Sequence, residues 1–259
     1  MKIAVQYYTL REFTRTREGF VDSLERIGAI GYEAVQLSGV GCIWGGEASV
    51  NVSEARTILD DLGIRCIATH RPVGWLFEHA AEAIEEQQIL GSTYVAPGAI
   101  IGEFGKGPTA YTQFVEGYEK VAHLYEAAGI TVGYHHHDWE FARNPDTGRP
   151  NLETILTGPA SLHLEIDTYW VNHAGADPAA WLTKASGRVS VIHVKDKEVL
   201  AEGVAAMAPV GEGNLDWDSI LAAAKGAGTQ WLVVEQDECQ RDPFDCLRSS
   251  YEFLKSKGL

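Results

Sequence analysis

Short apolar runs rich in β-branched residues recur along the chain, and their regular spacing constrains the fold more than any other feature. Successive runs lie about thirty residues apart, the length of one strand–helix unit. They are Ile3–Tyr8, Ala34–Leu37, Cys66–His70, Tyr94–Pro97, Thr131–His136, Leu162–Asp167, Val189–Val194 and Trp231–Glu235. Most of them follow an amphipathic stretch and a glycine, which is typical of a helix that ends before a buried strand. The pattern predicts eight strands that alternate with helices.

Strands that alternate with helices predict a parallel sheet with right-handed crossovers. Eight such units in 259 residues favour an α/β fold of the (β/α)8 type, a TIM barrel, which typically needs about 250 residues. The alternative is a doubly wound open sheet. No G-x-G-x-x-G follows the first run, where a dinucleotide-binding sheet would carry it. We therefore expect residues 1–259 to form a single TIM-barrel domain.

The formal net charge of −15 limits the partners of the chain. Binding the phosphate backbone requires a basic surface, so the charge argues against nucleic acid and equally against an anionic membrane. The sequence shows neither an apolar signal-peptide core nor a run long enough to span a membrane. Its four cysteines form no C-x-x-C pair, which disfavours a disulfide framework. The sequence predicts a cytoplasmic protein that acts on a small molecule, and it leaves homo-oligomerisation open.

Polar side chains stand at the ends of the predicted third, fifth, sixth, seventh and eighth strands. They are His70, His135, His136, His137, Glu140, Asp167, His193, Lys195, Asp196 and Glu235. Taken singly, each has an ordinary explanation, because a strand-end histidine often makes structural hydrogen bonds and a carboxylate there often caps the next helix. The carboxyl ends of all barrel strands meet at one mouth, however, so these side chains are expected to form one ring. Their recurrence indicates an active site.

Three of these residues, Asp167, His193 and Glu235, form a mixed set of oxygen and imidazole ligands. Such a set suits Mn, Co, Zn, Mg or Fe(II) rather than an ion that prefers thiolates. A fourth ligand is expected from the fifth strand, from either His135 or Glu140. The sequence thus predicts one divalent metal ion at the mouth of the barrel.

Other residues near the predicted mouth have the chemistry of a substrate site. Lys195 lies on the same strand face as His193 and would hold a substrate oxygen or polarise a carbonyl, unless it is a solvated loop lysine. Trp170 is one of several aromatic residues that would form the wall of a sugar site. The glycines of segment 209–217 would let backbone N–H groups approach substrate oxygens. These features suit a site for a small molecule such as a sugar, although aromatic residues in such loops more often serve packing.

The strand ends and loops resemble those of the sugar phosphate isomerase/epimerase family, the xylose-isomerase-like TIM barrels. The resemblance covers essentially the whole chain and rests on ATHRP, GYHHHDWEF, EIDTYWVNHAGADP, VIHVKD, PVGEGNLDW and VVEQDE. It implies one divalent metal, manganese among the candidates, held by Asp167, His193, Glu235 and a fourth strand-end ligand. That ligand is usually a glutamate of the fifth strand, but His135 stands at its position here. Glu140 is the preferred fourth ligand, with His135 beside it.

The same resemblance implies the type of reaction. A base removes a proton next to a carbonyl while the metal stabilises the enediolate, which is how isomerases and epimerases of ketoses and keto-sugars begin. His135, His137 and Glu235 are the candidate bases, and His70 is implied to contact the substrate. The histidine-rich fifth strand also resembles inosose dehydratase, so a lyase is the alternative, and a non-catalytic sugar-binding barrel is the second alternative. No cluster of Lys and Arg marks a phosphate site, which favours a non-phosphorylated sugar.

Overall fold

Ten strands form one large parallel sheet and one small hairpin in the computed structural model, which describes residues 1–46 and 48–259. The strands are β1 (Lys2–Gln6), β2 (Ala34–Leu37), β3 (Arg65–His70), β4 (Tyr94–Ala96), β5 (Thr131–His135), β6 (Leu162–Glu165), β7 (Val191–Val194), β8 (Asp196–Val199), β9 (Ala205–Ala208) and β10 (Trp231–Val234). The large sheet has eight strands in the order β6-β5-β4-β3-β2-β1-β10-β7. Each predicted strand overlaps an observed one, and most of the predicted runs extend slightly beyond their strands. The antiparallel β8–β9 hairpin lies in a segment that the sequence pattern left irregular.

The two outer strands of this order, β6 and β7, also meet and close the sheet. The backbone N–H of His193 donates to the carbonyl of Ile166 over 2.8 Å, and Asp167 and His193 form a parallel bridge. The sheet is therefore a closed barrel, which confirms the TIM-barrel prediction. The seam also places two of the predicted metal ligands side by side.

Helices follow the barrel strands and cover the outside of the barrel. They are α1 (Arg17–Ile30), α2 (Gly41–Trp44), α3 (Val52–Asp61), α4 (Val73–Glu78), α5 (Ala80–Leu90), α6 (Pro108–Ala127), α7 (Thr168–His173), α8 (Pro178–Lys184), α9 (Trp217–Ala227) and α10 (Pro243–Ser256). Side-chain caps begin several of them, such as Thr16 at α1 and Asp242 at α10. Gly228 ends α9 with a positive φ of 87°, which a glycine adopts without strain. None of the helices in the described part of the chain is both long and apolar enough to cross a membrane.

Two apolar layers stabilise the barrel. The larger one lies between the strands and the surrounding helices. The smaller one fills the lumen and consists of Ala4, Ala34, Ile67, Ala68, Tyr94, Ala96, Val191 and Val233. Small side chains dominate this inner layer because eight strands leave little room inside. At the carboxyl ends of the strands, polar side chains replace the apolar ones, and this is where the candidate site lies.

Candidate metal centre

Three of the four predicted metal ligands meet at the seam of the barrel. His193 lies in β7, Asp167 follows β6 and Glu235 follows β10, so consecutive strands of the barrel supply them. One ligand atom of each lies within 4.8 Å of the others. His193 Nδ1 is 2.8 Å from Glu235 Oε2 and 3.7 Å from Asp167 Oδ2. The closed sheet thus gathers residues that are 26 to 68 positions apart in the chain.

The atoms that face each other in this cluster lack hydrogen bonds from the described residues. Asp167 Oδ2, His193 Nδ1 and Glu235 Oε2 are all buried, and within residues 1–46 and 48–259 none of them makes a hydrogen bond. Leaving buried polar atoms unsatisfied costs about 1–3 kcal/mol each, so several around one point indicate a missing partner. A divalent cation would satisfy all three at once, and two carboxylates with one imidazole are ligands that such ions accept.

The orientation of His193 is set by Gln36, which the sequence analysis did not select. The Gln36 amide nitrogen donates to Glu165 Oε1 over 2.8 Å, and its oxygen lies 2.8 Å from His193 Nε2. Because an ionised carboxylate can only accept, the Gln36 oxygen must accept from His193 Nε2–H. In the neutral ring, Nδ1 therefore carries the lone pair that faces Asp167 and Glu235. Metal-binding histidines are typically held in this way through their second nitrogen.

The charge state of His193 follows from its neighbours. Burial disfavours the charged ring, but the Glu165 and Glu235 carboxylates outweigh this effect and raise the pKa of His193 well above its ordinary value. The carboxylates of the cluster thus favour a protonated imidazole. A divalent ion that binds Nδ1 has to displace this proton, so metal binding and proton release are coupled.

Lys195 is a buried cation at the edge of the same cluster. Its ammonium group lies 3.1 Å from Asp167 Oδ2, 2.7 Å from Glu235 Oε2 and 2.8 Å from Asp237 Oδ2. Only 1% of Lys195 is exposed, so it is not a solvated loop lysine. Burial and the Glu235 charge raise the pKa of Asp237 to about 6. The sequence offered a signal for Asp237, because in VVEQDE it lies two residues after Glu235 and would share its face of an extended strand.

Glu140, the preferred fourth ligand, lies outside the cluster. Its Oε1 accepts a hydrogen bond from the Tyr134 hydroxyl over 3.0 Å, and its Oε2 accepts one from the His137 backbone N–H over 2.9 Å. Both oxygens thus hold the loop after β5. Burial raises the pKa of Glu140 to about 7. The structure does not bring Glu140 to the other three ligands, because its carboxylate has its partners within its own loop.

The three consecutive histidines alternate as a strand requires. His135 faces the lumen, where its ring centroid lies 4.5 Å from that of His193. His137 stacks on Trp139 at 4.1 Å, and burial and the Lys195 charge lower its pKa to about 3. His136 faces the other way and accepts a hydrogen bond from the Asp167 backbone N–H over 3.1 Å. His136 therefore helps to position a candidate ligand.

Glu165 is a buried carboxylate of the site that the sequence analysis missed. It is fully buried, and its Oε2 lies 2.5 Å from His70 Nε2. Burial raises the pKa of a carboxyl group, but the imidazoles of His193 and His70 outweigh this and hold the pKa of Glu165 well below its ordinary value. In LHLEID, Glu165 and Asp167 alternate on one face of the strand, which was the signal for Glu165.

A cavity of about 440 Å³ opens above these residues, within the range of small-molecule sites. His70, His135, His137, Trp170 and Glu235 all line it. The candidate substrate-binding residues His70 and Trp170 thus reach the same space as the candidate bases. Its lining in the described chain includes the carboxylates of residues 235, 237 and 238 and neither Arg nor Lys. The cavity wall is therefore aromatic and acidic.

The glycine-rich segment 209–217 does not present its N–H groups to this cavity. Its backbone instead donates to the Asp196 carboxylate, from Gly211 over 2.9 Å, Gly213 over 3.1 Å and Leu215 over 3.2 Å. A Cβ atom on Gly213 would lie 2.3 Å from Asp196 Oδ1, so only glycine permits this approach. The expected role of the segment in binding substrate oxygens is not observed, because Asp196 takes its donors.

Comparison with known proteins agrees with this architecture. The model of the xylose isomerase-like TIM barrel matches residues 24–257. The chain belongs to this family. This confirms the family relationship that the strand-end segments predicted.

Individual relatives are more distant. An inosose dehydratase from Clostridium beijerinckii is 24% identical over 161 residues, which are 55% of this chain and 53% of that protein. The match thus spans about half the length of this curated relative. A sugar phosphate isomerase/epimerase from Parabacteroides distasonis superposes with a TM-score of 0.82 and 20% identity, over 98% of this chain and 93% of that one. The IolI protein with a bound zinc atom superposes with a TM-score of 0.69 and 15% identity, over 99% of this chain and 97% of that one. At these identities the two structures share the fold.

Proposed function

We propose that this protein is a divalent-metal-dependent sugar isomerase or epimerase. Its substrate is a small, non-phosphorylated ketose or keto-sugar, from which it removes a proton next to the carbonyl. The observation that carries the proposal is the set of unpaired atoms of Asp167, His193 and Glu235 beneath a cavity of substrate size. When bound there, a divalent ion supplies Lewis-acid stabilisation of the negative charge that develops on the carbonyl oxygen.

Lys195 and His137 provide the remaining chemistry. The Lys195 ammonium, held by three carboxylates next to the cavity, adds positive charge near the carbonyl. His137 lines the cavity, and within the described chain its buried Nδ1 has no hydrogen-bond partner. Its pKa is lowered to about 3, so it is unprotonated at physiological pH but is a weak base, which depends on stabilisation of the charge that develops on the carbonyl oxygen. We therefore assign the base to His137 and part of that stabilisation to Lys195.

The cavity wall supports an uncharged sugar as the substrate. A phosphate group would meet the carboxylates of Glu235, Asp237 and Glu238, with no Arg or Lys on the described lining to neutralise it. Trp170 presents an aromatic ring at the wall, and such rings commonly form part of small-molecule sites. The similarity to sugar-processing enzymes points to the same class of substrate.

A lyase is the second candidate, and two observations favour it. The curated relative that matches half of the chain is an inosose dehydratase. In addition, β5 carries His135 at the position where the family resemblance implies a glutamate. A lyase removes the same proton and then expels a β-hydroxyl group as water, so the two candidates share their first step.

Solvent exchange in D₂O tests both candidates. Ketohexoses and keto-inositols would be incubated with protein loaded with Mn, Co, Zn or Mg and followed by NMR. Deuterium next to the carbonyl in recovered sugar or its isomer supports the isomerase or epimerase. Loss of water from the sugar supports the lyase. A metal-loaded protein that exchanges no proton in any of these sugars would contradict both and favour a sugar-binding barrel.

A further inference from the structure

A second group of metal-binding side chains lies directly beside the first, and we propose that it binds a second divalent ion through His70, His135 and Glu165. These residues come from β3, β5 and β6. One ligand atom of each, together with one of His193, lies within 4.8 Å of the others. His193 separates the two groups, because its Nδ1 faces Asp167 and Glu235 while Gln36 occupies its Nε2.

The spacing of these atoms is close to that of a metal site. Bonds of about 2.0–2.2 Å in tetrahedral geometry place neighbouring ligand atoms about 3.3–3.6 Å apart. The distance from His135 Nδ1 to Glu165 Oε2 is 3.6 Å. The distance from His70 Nε2 to the same oxygen is 2.5 Å, which is the length of a hydrogen bond. His70 has to retreat by about 0.8 Å to admit a metal, and only a 3.5 Å contact with Gln6 holds its other nitrogen.

An unpaired buried nitrogen points into this group. His135 is 4% exposed, and its Nδ1 makes no hydrogen bond. Its ring lies 5.0 Å from that of His70 and 4.5 Å from that of His193, measured between centroids. A purely structural hydrogen-bond network would leave this nitrogen without a partner, whereas a metal bound with Glu165 would satisfy it.

The two sites differ in their ligands and should differ in their preferred ions. The site of Asp167, His193 and Glu235 has two carboxylates and one imidazole, which favours Mn or Mg. The second site has two imidazoles and one carboxylate, which favours Zn or Fe(II). His70 and His135 also line the cavity, so the second ion would face the same substrate and could hold a second substrate oxygen.

Metal stoichiometry tests the proposal without measuring activity. Full-length, untagged protein would be stripped with a chelator, saturated with Zn(II), freed of excess metal by gel filtration and analysed by mass spectrometry of the elements. We expect two ions per chain in the wild type, one in Glu165→Gln, one in Asp167→Asn and none in the double variant. His135→Gln should also bind one ion, which keeps the test valid if Glu165→Gln does not fold.

His163→Gln is the matched control. This histidine lies two residues before Glu165 on the same strand, bonds to Ser190 over 2.9 Å and belongs to neither group, so the variant should still bind two ions. Wild type that saturates at one ion, with Glu165→Gln also at one, would overturn the proposal and leave Glu165 as a hydrogen-bond partner. Two ions that persist in both Glu165→Gln and His135→Gln would also overturn it, because the second ion would then lie elsewhere.

Discussion

Asp167 and Asp196 are both fully buried carboxylates near the carboxyl ends of neighbouring strands, yet their surroundings differ. Backbone N–H groups and the Trp217 indole, 2.5 Å away, occupy both oxygens of Asp196. Asp167 uses one oxygen to cap α7 through Trp170 N over 3.1 Å, and its other oxygen, although 3.1 Å from the Lys195 ammonium, makes no hydrogen bond within the described chain. Asp196, whose oxygens are both held by donors of the protein, shapes a loop, whereas the second oxygen of Asp167 is available to a ligand.

Glu140 and Glu235 repeat this contrast. The protein supplies partners for both oxygens of Glu140, while Glu235 Oε2 faces His193 and Lys195 without a hydrogen bond. The residue type is the same, so the difference lies only in where the partners are. Isosteric changes at Asp167 or Glu235 should therefore reduce activity more than stability, whereas those at Asp196 or Glu140 should mainly change stability.

Asp167→Asn should have the largest effect, on activity rather than on stability. The change keeps the capping oxygen but removes a charged metal ligand, so catalysis of proton exchange should fall by more than about 1000-fold. Steady-state rates in D₂O with saturating metal would measure this. The free energy of unfolding of the metal-free variant should stay within about 1 kcal/mol of wild type, and a larger loss would contradict a ligand role.

Asp196→Asn should show the reverse. An amide in place of the carboxylate brings a donor towards the N–H groups of Gly211, Gly213 and Leu215, so the free energy of unfolding should fall by about 3 kcal/mol. Urea denaturation of both Asn variants in parallel would measure the difference. If the Asp196→Asn protein is as stable as the Asp167→Asn protein, the proposed difference between the two carboxylates is wrong.

Glu140→Gln should change how stability depends on pH. Burial raises the pKa of Glu140 to about 7, whereas in the unfolded chain its pKa lies near the ordinary value of 4.5. Between these values the folded state binds more protons, so this group makes the wild type less stable as pH rises. The variant lacks this titration and should gain about 3 kcal/mol relative to wild type between pH 4.5 and pH 8. A stability difference that is independent of pH would argue against the buried neutral carboxyl.

Gln36→Leu should have the smallest of these effects. It removes the acceptor that orients His193 while leaving all three metal ligands in place, so metal affinity should weaken about 10-fold. Competition with a fluorescent chelator would give the affinity. Gln87→Leu is the matched control, because this buried glutamine bonds to Thr69 over 2.9 Å and belongs to neither metal-binding group. Unchanged affinity in Gln36→Leu would show that the ring of His193 is held by other contacts.

The sequence by itself determined the barrel and most of its mouth. Strand runs, helix caps and glycine stops are local features, so eight strands and their ends could be read from spacing alone. Asp167, His193, Lys195 and Glu235 were found because each stands at the end of an apolar strand.

Only the tertiary structure decided which polar residues are satisfied by the protein and which remain free. Gln36 bonds to Glu165 across 129 positions of the chain and to His193 across 157, distances over which no local pattern carries information. The sequence analysis preferred Glu140 as a metal ligand because it is a carboxylate that follows the fifth strand. In the structure, the Tyr134 hydroxyl and the His137 backbone N–H occupy both of its oxygens. The chemistry of a carboxylate depends on its partners, and barrel closure brings those partners from strands that are far apart in sequence.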